Sequence, residues 1–288
     1  MSASALLSRP PVSAQASTAI AALAAGCLRL EVETWLKPGL VSHIDSGSHS
    51  DMNAETFRRS TAAIRPYLHD LAEAGAEGRA MGHLRAVGLQ AEQAMLAATG
   101  GINTHRGAIF GMGLLCAAAG ARLGGLADAA KPLGTIVAQR WGREISNGGV
   151  VLLHSNGQQA SRRYGVGGAR AEAAQGFPVV HGIGLPALRE GRLLAPGDAE
   201  AARVQACFSL IAVLDDTNLL HRGGLSGLHF AQRSAREFLE AGGVGRPGWR
   251  EHALAVHRAF VARRLSPGGS ADLLAMSLFV QAVEIGGL

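Results

Sequence analysis

The chain has 288 residues, of which 48% are hydrophobic, 17% charged and only 5% aromatic, a composition that builds a sizeable core and excludes a disordered chain. A formal charge of +5 and an isoelectric point near 9.7 favour an anionic ligand. No arginine run is interleaved with stacking aromatics, so nucleic acid is excluded as the partner.

Residues 1–14 read as a flexible arm and 15–288 as one helical domain without a linker. The apolar run 19–28 ends in Ala-Gly-Cys, as a lipoprotein signal does. Only Arg9 precedes it, however, and the apolar spacing continues through Leu28, Leu30 and Val32, so a helix is predicted from Ser17. No apolar run reaches the length of a membrane span. One face of this first helix carries Ile20, Leu23, Cys27, Leu30 and Thr34, with Glu31 on or beside it. A carboxylate there needs a partner. Pro38-Gly39 is placed to stop the helix.

The stretch 31–51 follows, with Glu31, Glu33, Lys37, Asp45, Asp51, His43 and His49 alternating with Trp35, Leu40, Val41 and Ile44. A solvated loop has little use for those apolar residues. A loop folded back on the core, presenting carboxylates and imidazoles to a ligand, does.

Asp51 or Asn53 caps a second helix over 55–73, with Pro66 placed to kink it, and a third covers 80–98. Gly100-Gly101 breaks the chain before Asn103-Thr104, a helix start. From Arg106 onward Gly107, Gly111 and Gly113 predict a buried helix that crosses its neighbours closely. Another helix is expected over 127–141. The region 146–184 is the least regular: a short apolar run at 150–153 makes no sheet by itself, so it is read as loop or helix end, and 167–174 as a loop entering a helix. Asp198 caps a helix through Leu214, which runs into DDTNLLHRGG. Helices over 225–241, 249–265 and 271–285 complete an all-α fold, the last two joined by SPGGSAD. The cysteines Cys27, Cys116 and Cys207 all fall within apolar helical patterns. Their odd number and the lack of a Cys-x-x-Cys pair predict buried free thiols in a reducing cytoplasm.

Nucleotide and hydrolase signatures are missing. Neither lysine sits in a phosphate-loop frame, and the one G-x-G-x-x-G, at 243–248, contains Pro247 and follows a helix rather than a strand. What remains is a scattered polar set. Asp215 and Asp216 are adjacent carboxylates that repel unless a cation or donor stabilises them, and oxygen donors suit magnesium. Equally, Asp216 can cap a short turn. His221-Arg222-Gly223-Gly224 offers a cation and a flexible backbone to an oxyanion, with Asn218 close by. His105-Arg106 stands at a helix N-terminus, an anion site or else a surface pair. Arg170 and Glu172 can form a local ion pair, and Tyr164 can simply pack. Ser270 and Asp272 read as caps of the last helix, while Gly268-Gly269 would let a phosphate approach.

Together, EVETWLKPGLVSHIDSGSHSDM, GINTHRGAIFGMGLLCAAAG, YGVGGARAEAAQGFP, DTNLLHRGG and SPGGSADLLA resemble the triphosphoribosyl-dephospho-CoA synthase family, from about Ile20 to the C-terminal helix. The resemblance implies an all-helical fold and a pentosyltransferase: ATP and 3′-dephospho-CoA give 2′-(5″-triphosphoribosyl)-3′-dephospho-CoA and adenine, the prosthetic-group precursor of malonate decarboxylase or citrate lyase. Two positions depart from the pattern. Ser50 stands where a basic residue is expected, and Arg106 where a lysine is.

In that reaction the 2′-hydroxyl attacks the ribose C1′ as the bond to adenine breaks, through an oxocarbenium-like transition state. The resemblance then implies roles. Asp215 and Asp216 hold magnesium. Lys37, Arg106, Arg170 and Arg222 hold phosphates, with Asp45, Asp51, Asn103, Tyr164, Glu172, Asn218, His221, Gly223 and Ser270 completing the substrate site. Glu31 or Glu33 is the base or oxocarbenium stabiliser, and His49 or His105 assists adenine departure. Two other readings stay open: a magnesium-dependent helical glycohydrolase of ADP-ribose-like compounds, and a non-catalytic nucleotide-binding module. The arginine-rich composition and the stand-alone chain lean toward malonate decarboxylase, with a functional link to an acyl-carrier subunit. A cytoplasmic protein without nucleic-acid or membrane partners is expected, and a homo-oligomer is compatible with it.

Overall fold

The structure, a computed structural model, describes residues 14–148 and 156–286. Among these there are only helices: α1 (Ala14–Glu33), α2 (Ala54–Ala76), α3 (Met81–Thr99), α4 (Arg106–Leu123), α5 (Leu133–Asn147), α6 (Asn156–Tyr164) and α7 (Gly168–Ala174), then α8 (Leu185–Leu194), α9 (Ala199–Val213), α10 (Thr217–Glu240), α11 (Trp249–Ala262) and α12 (Gly268–Ile285). The all-α expectation is met. The apolar run at 150–153 lies outside the described residues.

Helix α4 has no polar face, and a helix apolar all round must be covered on every side. Residues 111–121 are all buried, packed by α1, α2, α3, α5, α7 and α12. The closest crossing is with α2. A Cβ at Gly75 would fall on the Ala117 carbonyl oxygen, and one at Gly120 on the Ala72 carbonyl oxygen. The two backbones therefore touch at reciprocal glycines.

Several boundaries differ from expectation. Helix α1 ends at Glu33, before Pro38-Gly39, because the Trp35 N–H leaves the helix for the Glu200 carboxylate on α9, 2.9 Å away. Its buried face runs through Ile20, Ala24, Cys27, Leu28 and Glu31, while Leu30 is exposed. Helix α2 is capped by Asn53, whose Oδ1 accepts from the Thr56 N–H, and it continues through Pro66. Helix α5 starts at Leu133, six residues beyond the predicted start. Helix α8 has no counterpart among the predicted elements. Its Pro186 sits in the first turn, where a missing N–H is harmless, and a π-helical turn at Val180–Gly184 leads into it. The helix expected from 225 begins earlier, at Thr217 within DDTNLLHRGG, and Gly224 (φ 61°, ψ −162°) bends it before it continues to Glu240. The three cysteines are free and buried. No helix among the described residues is long and apolar enough to cross a membrane.

Candidate active site

A cavity of about 370 Å³ opens where helix ends meet. Its walls come from the last turn of α1 (Glu31), the 34–53 loop (Leu40, Val41, His49, Asp51), the first turn of α2 (Phe57), the start of α4 (Asn103 to Gly107), the start of α10 (Asn218, His221, Arg222) and the start of α12 (Ser266, Gly268, Asp272). The N-termini of α2, α4, α10 and α12 thus border one space, and their dipoles favour anions, while Asn53, Asn103 and Asp216 accept from N–H groups of the first turns.

Two buried carboxylates, Glu31 and Asp216, and the half-buried Asp272 lie in or behind this wall, each with a different set of partners. Glu31 is ion-paired with Lys37, which also donates to the Val41 carbonyl at 3.1 Å. Both are buried, so Lys37 neutralises Glu31 instead of reaching a phosphate. Burial raises the Glu31 pKa and Lys37 lowers it in part; the net shift is upward. Asp216 is saturated. Its Oδ1 accepts from the Asn218 and Leu219 N–H groups, and its Oδ2 from the Ser270 N–H and hydroxyl. It caps α10 and α12 together, and burial still raises its pKa against those hydrogen bonds. Asp272 faces the cavity from the second turn of α12. Burial, then the charges of Glu31 and Asp216, push its carboxyl well above the usual range, opposed by the Ala108 N–H. Gly107 makes room for it, since a Cβ there would collide with Asp272 Oδ2.

The two candidate histidines differ. Arg222 Nη2 donates to His49 Nδ1 at 3.1 Å, so the ring hydrogen sits on Nε2, 2.9 Å from Ser266 Oγ. Both nitrogens are engaged, and the ring braces the 34–53 loop against the chain entering α12. Burial and Arg222 lower its pKa, with Asp51 acting the other way. His105 is fully buried, with its pKa pushed down to about 4 by burial. Its Nδ1 lies 2.6 Å from Ser60 Oγ, and its Nε2 has no hydrogen-bond partner among the described residues.

Of the residues predicted from sequence, Glu31, His49, Asp51, Asn103, His105, Arg106, Asn218, His221 and Arg222 meet at this cavity. Arg106 is paired with Glu92 at 2.9 Å, and Arg222 also donates to the Ser48 and Arg264 carbonyls. The others go elsewhere. Glu33 is exposed and paired with Arg29. Asp45 lies behind the wall, accepting from Gly47 N–H at 2.8 Å and Trp35 Nε1 at 3.4 Å, with His257 Nε2 3.3 Å away. Arg170 donates to the Ile145 carbonyl at the end of α5, and Glu172 accepts from the Val179 N–H. Tyr164 stacks beneath Arg163, and Gly223 packs against Leu265. Ser270 is buried against Asp216. The expected metal pair is not assembled: Asp215 is exposed and off the cavity wall, while Asp216 has its lone pairs occupied by donors. Among the described residues the one three-group cluster with metal-ligand spacing is His69, Asp70 and Glu73 on the outer face of α2, away from the cavity.

Sequence reasoning missed Asp272, taken for a cap, together with Ser60 and Thr104. The signal for Asp272 was its place on the apolar stripe that continues through Met276, Phe279 and Val283, the same anomaly that marked Glu31. Ser60 carried no signal, because a serine inside a helix is ordinary.

Residues 17–287 match the family model described as CitG: ATP:dephospho-CoA triphosphoribosyl transferase. Among similar curated proteins is one from Klebsiella pneumoniae named 2-(5''-triphosphoribosyl)-3'-dephosphocoenzyme-A synthase, 40% identical, covering 91% of this chain and 89% of that protein. Proteins named as probable synthases of the same compound come from Acinetobacter calcoaceticus, 39% identical over 91% of this chain and 90% of that protein, and from Pseudomonas putida, 41% identical over 91% and 93%. No solved structure matches the chain.

Proposed function

The chain belongs to the CitG family of ATP:dephospho-CoA triphosphoribosyl transferases, and from that premise we propose that the cavity binds ATP and transfers its triphosphoribosyl group to the 2′-hydroxyl of 3′-dephospho-CoA, releasing adenine. The carrying observation is the juxtaposition of two cavity-facing carboxylates, Glu31 and Asp272, with the start of α4 and the Arg106 and Arg222 side chains. One part suits a developing ribosyl cation, the other a triphosphate that is held and not cleaved.

In this reading the O2′–C1′ bond forms as the C1′–N9 bond breaks. Glu31, ion-paired with Lys37, faces the oxocarbenium-like ribose and as the carboxylate takes the proton of the attacking hydroxyl. Arg106, Arg222, Asn103, Asn218 and His221 line the path of the phosphates, and His105 faces the purine. Magnesium suits the same wall. It takes one or two carboxylates beside phosphate oxygens and waters, and Asp272 is the carboxylate with room to offer, so Asp272 would hold it and so neutralise phosphate charge. The Ser50 departure falls on an exposed position next to His49, leaving Arg222 as the nearer cation.

The test is incubation with ATP, magnesium and dephospho-CoA, with mass spectrometry of adenine and the coupled product. Glu31→Gln and Asp272→Asn are expected to lose at least about 100-fold in kcat, and Asp215→Asn to keep wild-type activity. Adenine release from ATP in the absence of dephospho-CoA would favour a glycohydrolase instead; no ATP turnover at all would favour a binding module. We assign the product to malonate decarboxylase on the arginine-rich composition, in a cytoplasmic setting. Transfer to a citrate lyase carrier subunit in preference to a malonate decarboxylase carrier would reverse that assignment.

A further inference from the structure

One buried polar atom of a cavity-lining residue has no hydrogen-bond partner among the described residues. His105 is 2% exposed, its residue lines the cavity, and its Nε2 is sealed from water without a hydrogen bond. The other ring nitrogen ends a short chain of hydroxyls. Thr104 Oγ1 donates to Ser60 Oγ at 2.7 Å, and Ser60 Oγ lies 2.6 Å from His105 Nδ1. A hydroxyl has a single hydrogen. Because Ser60 accepts from Thr104, its own hydrogen is free to donate to the imidazole, and with Ser60 as the donor Nδ1 presents its lone pair and the ring hydrogen is on Nε2.

The surroundings hold this arrangement. Phe57 meets the imidazole edge-on, at 5.0 Å between centroids and 86° between planes. The backbone N–H of His105 is taken by Met95 Sδ at 3.2 Å. Burial disfavours the imidazolium, so the ring is neutral at physiological pH. A buried N–H without an acceptor is unfavourable, which marks Nε2 as waiting for one.

We propose, resting on the reading of this cavity as the ATP site, that Ser60 and Thr104 are positioning residues that hold His105 as the neutral Nε2–H tautomer, and that this N–H donates to a ring nitrogen of the departing adenine. Negative charge grows on the purine as the C1′–N9 bond breaks. A donor fixed in place stabilises that charge without reorganising at the moment of reaction. A neutral donor also needs no counter-ion in a buried site. His105 gives up no proton: the hydrogen stays on Nε2, the hydrogen bond strengthens, and the purine anion takes its proton from water, balanced by the proton that the 2′-hydroxyl gave to Glu31.

The experiment uses the full chain with ¹⁵N-labelled histidine. Long-range ¹H–¹⁵N spectra report which ring nitrogen carries the hydrogen, and the His105 signals are those absent from His105→Gln. Nε2–H is expected in the wild type. In Ser60→Ala the tautomers should mix, and kcat for adenine release should fall about 10–100-fold with little change in the KM for ATP. Ser60→Thr keeps the hydroxyl and should restore both. If Ser60→Ala does not fold, Thr104→Val breaks the relay at its outer end, with the same mixing of tautomers expected. An Nδ1–H signal in the wild type would overturn the proposal, as would an altered tautomer with unchanged kcat. The tautomer is read without turnover. A wild-type chain inactive toward ATP and dephospho-CoA would therefore remove the function assigned to the cavity, and with it the role of the N–H, while leaving the tautomer measurement to stand separately.

Discussion

Replacing Lys37 by methionine removes the cation from a pair with almost no access to water. Lys37 is 1% exposed and Glu31 6%. Deleting one member of a buried ion pair typically costs about 3–5 kcal/mol, because the survivor is left charged in a poor solvent or must take up a proton. The hydrogen bond from Lys37 to the Val41 carbonyl adds about 1 kcal/mol to that loss. The pH dependence follows from the same geometry. The Glu31 pKa is already raised by burial, and Lys37 supplies the lowering influences. Without Lys37 the folded-state pKa climbs further above the unfolded value. A folded pKa raised in this way gives stability that is present below the unfolded pKa and lost as pH rises through the folded one. Lys37→Met should therefore lie only about 1 kcal/mol below wild type at about pH 4.5, from the lost hydrogen bond, and fall progressively further behind toward pH 7. Replacing both residues by methionine should recover most of the loss, since a buried pair exchanged for apolar side chains of similar volume is often neutral. The assay is urea unfolding followed by circular dichroism at several pH values, as a double-mutant cycle. A single variant that costs under about 1 kcal/mol at pH 7, or a coupling near zero, would mean that the pair is not buried as described.

Asp216→Asn should destabilise by about 2–4 kcal/mol, because one carboxylate caps both α10 and α12 and an amide can accept at only one of them. The loss should be the same with and without magnesium, and a loss seen only with the metal would return Asp216 to a ligand role. Gly120→Ala puts a methyl on the Ala72 carbonyl oxygen, which no rotamer change relieves, and should cost about 1–3 kcal/mol in chemical unfolding. The control is Gly88→Ala in α3, where nothing lies within 4 Å and a gain of about 0.5–1 kcal/mol is expected. His105 resists protonation when folded, with a pKa near 4 against 6.5 for the free side chain. Stability from this group is full above about pH 6.5 and is lost as pH falls toward 4, by about 3 kcal/mol in all. His105→Gln should flatten that acid limb, and an unchanged limb would rule out a buried neutral imidazole.

Much of this protein could be read from the chain alone. Low aromatic content, abundant small residues and helical apolar spacing determine an all-helical core, because such residues pack helices closely and cannot build a sheet face. Glu31, on a buried stripe, already required a partner. Asn103-Thr104 was legible as a helix start, whereas Asn218 to Arg222 was not, because the helix was expected only from 225 and begins at Thr217. The tertiary structure decided the partners. Lys37 and Glu31 are close enough in sequence to be named together, but only the folded loop turns both inward and makes the lysine a counter-ion. Asp216 looks like half of a metal pair until Ser270, 54 residues away, fills its free lone pairs. Asp272 looks like a cap until α12 starts a turn earlier and carries it into the cavity beside Gly107. Ser60 gains its role from a histidine 45 residues away. Each of these outcomes depends on which donors reach a buried oxygen or nitrogen from elsewhere in the chain, and local spacing does not encode that.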